Sequence, residues 1–203
     1  MRTYKELLEH LIRSGVLHSP HIIRAFETTD RALFVPEELQ ELAYSDEPLP
    51  IGYAQTISQP STVAFMLELL DPQSSQHILD IGSGSGWTTA LLARIVGENG
   101  FVTGLERIDA LVAYGNENLK RLGITNAKIH KAGKELGIPG ERFDRILVSA
   151  AATELPLELL RQLKEGGKLV IPVQNSIFEL KKNTDGTLTL AEHVGFRFVP
   201  LVT

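Results

Sequence analysis

Apolar residues recur at helical intervals in four stretches of the first part of the chain, namely residues 4–13, 21–28, 37–42 and 61–70. The last of these predicted helices has an apolar face made of Val63, Met66, Leu67 and Leu70. Residues 43–60 are instead rich in proline, glycine and small polar residues, without periodicity. Because long loops without regular structure inside a compact domain are often functional, we predict that residues 43–60 form an active-site loop.

From residue 78 onward, short apolar runs alternate with helical patterns. The predicted strands are residues 78–81, 101–106, 127–130, 143–149 and 168–173, and the predicted helices are residues 88–96, 109–122 and 156–163. Asp109 is the expected N-cap of its helix, and Gly123 is the expected stop signal. Strands that alternate with helices favour a parallel sheet, so we predict an α/β fold with a doubly wound, Rossmann-like sheet and helices on both faces.

The last thirty or so residues show a different pattern. Two stretches, residues 177–183 and 187–194, flank Thr184-Asp185-Gly186, which is a hairpin signal. Residues 197–202 are predicted to form a final strand. We therefore expect an antiparallel edge at the carboxyl-terminal end of the parallel sheet.

A length of 203 residues is typical of one domain, and the composition, 43% hydrophobic and 22% charged, is that of an ordinary globular protein. We predict a single domain over residues 1–203. Residues 1–60 would form a helical section with the active-site loop, and residues 61–203 would form the cofactor-binding core.

Charge and residue usage exclude several classes of function. The formal net charge of -5 argues against a general nucleic-acid-binding protein. There is no cysteine, which excludes disulfides and thiolate sites, and the six histidines lack metal-ligand spacing, so no metal is predicted. Residues 1–15 do not resemble a signal peptide, and no apolar run is long enough to cross a bilayer. We therefore expect a cytoplasmic protein without nucleic-acid or membrane partners.

The most informative stretch is residues 78–87, ILDIGSGSGW, where a predicted strand runs into a glycine-rich turn and then into a helix. Gly82, Gly84 and Gly86 permit a sharp turn and let a ligand lie against the main chain. The free N–H groups and the dipole of the helix would point at that ligand. Glu106 ends the next predicted strand, where a carboxylate can accept the two hydroxyls of a ribose. These features predict a nucleotide-cofactor site.

The glycine spacing distinguishes between cofactors. The dinucleotide pattern is G-x-G-x-x-G, and here Trp87 stands where its third glycine belongs. An acid, Asp80, followed by G-x-G-x-G resembles the first motif of S-adenosylmethionine-dependent methyltransferases. An NAD-linked oxidoreductase is the disfavoured alternative.

Further segments resemble, in the same order, the protein-L-isoaspartate O-methyltransferase family of class I methyltransferases. They are residues 31–36, 43–44, 48–52, 55–60, 80–87, 143–148, 162–167, 170–172 and 198–201. The most specific of these segments is QTISQP at residues 55–60. The resemblance covers nearly the whole chain.

The resemblance implies methyl transfer from S-adenosylmethionine to the α-carboxyl of L-isoaspartyl residues in damaged peptides and proteins, a repair reaction with S-adenosylhomocysteine as product. It implies that the hydroxyl of Ser58 orients the acceptor carboxyl; from the sequence alone, Ser58 would be a turn or N-cap serine. The implied cofactor-binding residues are Thr56, Ile57, Gly82, Ser83, Gly84, Gly86, Glu106, Arg107 and Gly133. A carboxylate is already a nucleophile at neutral pH, so no general base is required.

The chain departs from the family pattern at three places. Ala132-Gly133-Lys134 replaces Gly-Asp-Gly, whose aspartate helps to hold the adenine amino group. Gln174 and Ala54 stand where glycine is usual. Two alternatives to repair stay open: a carboxyl methyltransferase with another peptide acceptor, and a binding protein of the same fold without transfer.

For two large residues, the sequence predicts a structural rather than a chemical role. Arg31 is a candidate ion-pair partner of Asp46 or Glu47 beside the loop. Trp87, at the start of the helix after the glycines, is expected in the core or in the wall of the pocket.

Overall fold

The computed structural model describes residues 3–202, and its first part is helical, as predicted. This part contains α1 (Tyr4–Arg13), α2 (Pro20–Glu27), two 3-10 helices (Arg31–Phe34 and Glu37–Leu42), β1 (Leu49–Gly52), β2 (Gln55–Ile57) and α3 (Pro60–Leu70). The second part contains β3 (His77–Ile81), α4 (Trp87–Val96), β4 (Phe101–Glu106), α5 (Asp109–Arg121), β5 (Ala127–Lys131), β6 (Phe143–Val148), α6 (Leu157–Arg161), β7 (Leu163–Val173), β8 (Ser176–Lys182) and β9 (Leu188–Val194).

Seven strands form one sheet in the order β5-β4-β3-β6-β7-β8-β9. Neighbouring strands from β5 to β7 are parallel, and β8 and β9 add an antiparallel edge. The predicted sheet and its edge are therefore confirmed. The chain runs outward from β3 to β5 and returns to β6 on the other side of β3, so the strand order reverses there. Open α/β sheets bind ligands at the carboxyl ends of the strands beside such a reversal.

The two faces of the sheet are covered by apolar clusters of different size. Helices α1 to α5 contribute to one large apolar cluster, which includes the predicted face of α3. The opposite face has a smaller cluster, to which α6 contributes Leu159. In α4 every residue except Arg94 is buried, because this helix lies between the sheet and α2. No helix within residues 3–202 has the length and hydrophobicity needed to span a membrane.

The segment predicted as a structureless loop, residues 43–60, contains the hairpin β1–β2. The strands pair Leu49 with Ile57 and Gly52 with Gln55, and Tyr53 and Ala54 form the turn at φ values of 55° and 56°. Two-residue hairpin turns with two positive φ angles favour Asn-Gly or Asp-Gly. A Tyr-Ala pair gives no such signal, which is why the sequence pattern missed the hairpin.

Two predictions near the carboxyl terminus were wrong in their details. Residues 197–202 form no strand of the sheet; instead Leu201 donates to the carbonyl of Ala151, and Pro200 makes an isolated bridge there. Four residues of the segment, Val199, Pro200, Leu201 and Val202, line crevices at the carboxyl ends of the strands. The helix predicted at residues 156–163 ends at Arg161, because Leu163 already pairs with Phe143 in the sheet.

The amino-terminal section is attached to α4 by a small polar and aromatic network. Trp87 is 1% exposed and donates its indole N–H to the carbonyl of Thr29, while its ring meets Phe26 edge-on. The hydroxyl of Tyr4 donates to the carbonyls of Phe26 and Thr29. Trp87 is therefore both a core residue and, at one edge, part of the pocket wall described below.

Candidate active site

Two adjoining crevices open at the carboxyl ends of the central strands, and both are lined by Gln55, Gly82, Glu106 and Ala150. The first crevice lies beneath the hairpin and is also lined by Thr56, Ile57, Ser58, Val63, Ser83, Gly84 and Val199. The second crevice extends over the ends of β4 and β5 and is also lined by Arg107, Ala132, Gly133, Glu135, Leu136, Pro200, Leu201 and Val202. The family-implied residues are thus brought together, with one exception.

The exception is Gly86, which lines neither crevice. Its φ is 89°, and a Cβ there would lie 3.2 Å from the carbonyl oxygen of Gly115 and 3.2 Å from Cδ1 of Ile129. Gly86 therefore allows the start of α4 to approach α5 and β5 closely. This packing, rather than a ligand, accounts for the third glycine of the motif.

The glycine-rich turn is held by its own N–H groups. Those of Gly82 and Ser83 donate to the carbonyl of Leu105 at 2.8 and 3.1 Å, and that of Gly84 donates to Oε2 of Glu106 at 3.0 Å. These N–H groups of the turn are therefore not free for a ligand, whereas no side chain of the described residues caps the N–H groups at the start of α4, which are the ones expected to face it. Gly82 and Gly84 line the first crevice without side chains, and a Cβ on Gly84 would lie 3.1 Å from Cδ1 of Ile51.

The carboxylate of Glu106 is fixed at the junction of the two crevices. It is 6% exposed, and its Oε1 accepts a second main-chain hydrogen bond from the N–H of Ile108 at 2.9 Å. A carboxylate has about four acceptor positions, so each oxygen keeps capacity for a further donor. A pair of ribose hydroxyls is such a donor set.

Beneath the turn, Asp80 is fully buried. Its Oδ2 accepts from the hydroxyls of Thr88 and Thr89 at 3.1 and 2.6 Å, whereas Oδ1 has no partner among the described residues. Burial outweighs these hydrogen bonds and, with the nearby charge of Glu106, raises the pKa of Asp80 to about 6. The sequence marked Asp80 as part of the motif but gave no sign that its carboxyl would be desolvated.

Ser58 lies in the first crevice with an unoccupied hydroxyl. The side chain is half-buried, and no described residue forms a hydrogen bond with it. It does not cap α3: the N-cap residue is Gln59, and the carboxylate of Asp46 accepts the N–H of Ser61 at 2.8 Å. The capping alternative for Ser58 is therefore excluded, and the hydroxyl is available to a ligand.

Several lining residues were not found from the sequence. Gln55 belongs to the hairpin, and Ser149 and Ala150 follow β6 directly across from Gly82, whose Cβ position would be 3.7 Å from the main chain of Ser149. Small residues just after a buried strand were the available signal. A fourth residue, Glu135, adds a second carboxylate, besides Glu106, to the lining of the second crevice.

At two of the three positions that depart from the family pattern, the backbone conformation explains why glycine is usual. Gln174 has φ 54° and Ala54 has φ 56°, both in the left-handed region that favours glycine. These substitutions keep the backbone path and add strain. At Gly133, by contrast, φ is not positive and the nearest atom to an added Cβ is 4.0 Å away, so the site has room for a side chain.

The doubly wound sheet, the glycine turn after its first central strand and the acid at the end of the next define a class I S-adenosylmethionine-dependent methyltransferase. The model of the protein-L-isoaspartate(D-aspartate) O-methyltransferase family matches residues 2–203, and the chain belongs to this family. No group of three or more histidine, aspartate or glutamate side chains within residues 3–202 is arranged to bind a metal ion.

Three relatives illustrate the similarity. A protein-L-isoaspartate O-methyltransferase of Pyrococcus horikoshii is 40% identical, with 98% of this chain and 92% of the relative covered. One of Fervidobacterium nodosum is 43% identical, with 96% and 99% covered. The crystal structure of a Plasmodium falciparum protein-L-isoaspartate O-methyltransferase in complex with S-adenosyl-L-homocysteine superposes with a TM-score of 0.87 at 31% identity, covering 100% of this chain and 99% of that one.

Proposed function

We propose that the protein transfers the methyl group of S-adenosylmethionine to the carboxyl group of L-isoaspartyl residues in damaged peptides and proteins. Family membership supports the reaction class. The observation that carries the proposal is the unoccupied hydroxyl of Ser58, which lines the same crevice as the glycine turn and Glu106. The proposed acceptors are isoaspartyl peptides and proteins, and the proposed place of action is the cytoplasm.

The crevices fit the cofactor. Gly82 and Gly84 have no side chains and, with Ser83, would hold the methionine part, and Glu106 would accept the ribose hydroxyls. Arg107 and Gly133 would lie against the adenine, and Thr56 and Ile57 would form the wall beside the methyl donor. When bound, the cofactor supplies a methyl group already activated on a sulfonium.

The acceptor needs orientation rather than activation, because its carboxylate is ionised at neutral pH. The hydroxyl of Ser58 would donate to one carboxylate oxygen and leave the other free to face the donor. Ile57, Val63 and Val199 make part of this crevice apolar, which limits water near the acceptor. Correct placement of two reactants can supply roughly 7–11 kcal/mol of a barrier, so orientation alone is a sufficient contribution.

Paired peptides test the proposal. Two peptides of identical sequence, one with an L-isoaspartyl and one with an aspartyl linkage, are incubated with the protein and methyl-labelled S-adenosylmethionine. We expect base-labile label on the isoaspartyl peptide alone. Labelling of the aspartyl peptide would indicate another acceptor, and absence of label despite binding of S-adenosylhomocysteine would indicate a binding protein; either result would contradict the proposal.

A further inference from the structure

Arg31 occupies an unusual position for a charged side chain. It is 0% exposed, and it forms no ion pair with Asp46, Glu47 or any other carboxylate of residues 3–202, contrary to the expectation from the sequence. Its guanidinium instead donates to four main-chain carbonyls. Nη1 donates to Ala43 at 2.7 Å and Ser45 at 3.3 Å, and Nη2 donates to Glu47 at 2.9 Å and Ser58 at 3.1 Å.

These four carbonyls belong to two separate stretches of chain. Three lie in residues 43–47, before the hairpin, and the fourth is that of Ser58, directly after it. The guanidinium therefore joins the two ends of the hairpin segment at one point. Asp46 adds a second link between the same stretches, through the N–H of Ser61 at 2.8 Å.

The same guanidinium also packs against Trp87, which forms part of the wall of the first crevice. Its carbon lies 5.5 Å from the ring centroid of Trp87, the first residue of α4 after the glycine turn. Burial lowers the pKa of Arg31 to about 10, which leaves it protonated at neutral pH. A buried cation is unfavourable unless its donors are satisfied, and only Nε lacks a partner here. The arrangement requires a planar fork of donors, which lysine lacks.

We propose that Arg31 is a positioning residue for methyl transfer: by holding the carbonyl of Ser58 together with residues 43–47, it fixes the backbone from which the Ser58 hydroxyl is directed at the acceptor carboxyl. The inference rests on the proposed function of Ser58. The glycine turn receives no hydrogen bond from Arg31 and is held by β4 instead. A substitution that removes the guanidinium should therefore affect placement of the acceptor carboxyl rather than binding of the cofactor.

Arg31→Lys, which keeps the charge and removes the fork, tests the proposal. We expect kcat with an isoaspartyl peptide to fall by about 30-fold, while the Kd for S-adenosylhomocysteine changes less than about threefold. The matched control is Arg145→Lys. Arg145 is 8% exposed and donates to the carbonyls of Leu70, Asp71 and Asp144, remote from the crevice. This control should lower stability and leave kcat and the Kd unchanged.

A double mutant separates positioning from a general structural role. If Arg31 acts through Ser58, then Arg31→Lys in a Ser58→Ala background should lower kcat by less than about threefold, because the hydroxyl to be positioned is already absent. Full additivity of the two losses would overturn the proposal. So would loss of S-adenosylhomocysteine binding in both Arg31→Lys and Arg31→Gln, since Arg31 would then support the whole site.

Amide hydrogen exchange gives a readout that does not depend on activity. In the complex with S-adenosylhomocysteine, Arg31→Lys should speed exchange in residues 43–59 by about tenfold and leave residues 78–88 unchanged. Unchanged exchange in residues 43–59 would overturn the proposal even if the wild type is active. If the wild type transfers no methyl group, the proposed function fails by that result alone, while the exchange data still decide whether Arg31 holds the segment.

Discussion

The two sides of the crevice are held by different kinds of interaction. On the cofactor side, the glycine turn is tied to the neighbouring strand β4 through Leu105 and Glu106, so its shape follows from the sheet. On the acceptor side, the hairpin and Ser58 lie outside the sheet and depend on the side chains of Arg31 and Asp46. The difference suggests that cofactor affinity and transfer rate can be changed separately by substitutions on the two sides.

Ser58→Ala is expected to separate transfer rate from cofactor affinity most strongly. Removing one aimed hydrogen-bond donor typically lowers kcat by about 100–1,000-fold, and we expect a loss at the lower end of that range. The Kd for S-adenosylhomocysteine should stay within about twofold, because the glycine turn and Glu106 are unaffected. Steady-state kinetics and calorimetry measure the two quantities. Ser61→Ala, three residues further on, is the control and should change neither; a large loss of affinity in Ser58→Ala would contradict its assigned role.

On the cofactor side, Gly86→Ala distinguishes a packing role of Gly86 from a contact with the cofactor. The left-handed φ and the close approach to Gly115 should together lower the free energy of unfolding by roughly 3 kcal/mol, measured in urea. Affinity of the folded protein for S-adenosylhomocysteine should be unchanged. Gly123 also has a positive φ, 64°, but nothing lies within 4 Å of its Cβ position, so Gly123→Ala should show only the smaller backbone cost. Equal losses in the two variants would mean that packing at Gly86 is unimportant.

Asp80, on the cofactor side, makes the stability of the folded protein depend on pH. Because burial raises its pKa from 3.8 to about 6, the folded state binds the proton more tightly than the unfolded state does. Ionisation of the buried carboxyl therefore lowers the free energy of unfolding by roughly 3 kcal/mol above about pH 6. Below about pH 4 the carboxyl is protonated in both states, and this loss of stability disappears. Asp80→Asn should be more stable than wild type at pH 7.5, with the difference shrinking as pH falls to 5. A difference independent of pH would show that Asp80 is not desolvated.

A gain of affinity is expected at Gly133. The position lines the second crevice and has open space, so Gly133→Asp should supply an acceptor for the adenine amino group and tighten binding of S-adenosylhomocysteine by roughly tenfold. Gly133→Ala, which adds only a methyl group, is the control in the same calorimetric titration. Unchanged or weaker affinity in Gly133→Asp would indicate that another group, such as Glu135, already meets the adenine.

The smallest effect concerns the hairpin on the acceptor side. Ala54→Gly relieves a left-handed alanine in the turn, and we expect a gain of roughly 0.5–1 kcal/mol in the free energy of unfolding. Ala113→Gly, at an exposed position in the interior of α5, should instead cost roughly 1 kcal/mol. Urea unfolding of both variants checks the opposite signs. Destabilisation by Ala54→Gly would mean that the turn is not strained.

The same contrast explains how much could be predicted from the sequence. The cofactor side follows from local patterns: β3 and β4 are short apolar runs, and Gly82 and Glu106 stand at their ends. The sheet and its antiparallel edge were predicted correctly from such patterns, and Gly82 and Glu106 line the crevices, while their contact with the cofactor stays a prediction. Gly86 was grouped with the ligand contacts because a motif does not show which of its glycines faces a neighbouring helix.

The acceptor side follows from long-range contacts that leave no periodic pattern. The turn at Tyr53 and Ala54 lacks the residues that mark hairpins, so β1 and β2 were missed. The apolar residues at the carboxyl terminus resemble a strand, but Leu201 covers the second crevice instead. The partners of Arg31 are carbonyl oxygens, which every residue carries, and no sequence pattern could identify the four that it binds.

Calorimetric titration of the purified, folded protein with S-adenosylhomocysteine tests the central claim most directly, because the proposed methyl transfer depends on a working cofactor crevice. We predict one site per chain with a dissociation constant in the micromolar range or below, despite the absence of an acid at Gly133. The absence of detectable binding, in protein shown by circular dichroism to be folded, would contradict the account and leave a fold of this family without its transfer chemistry.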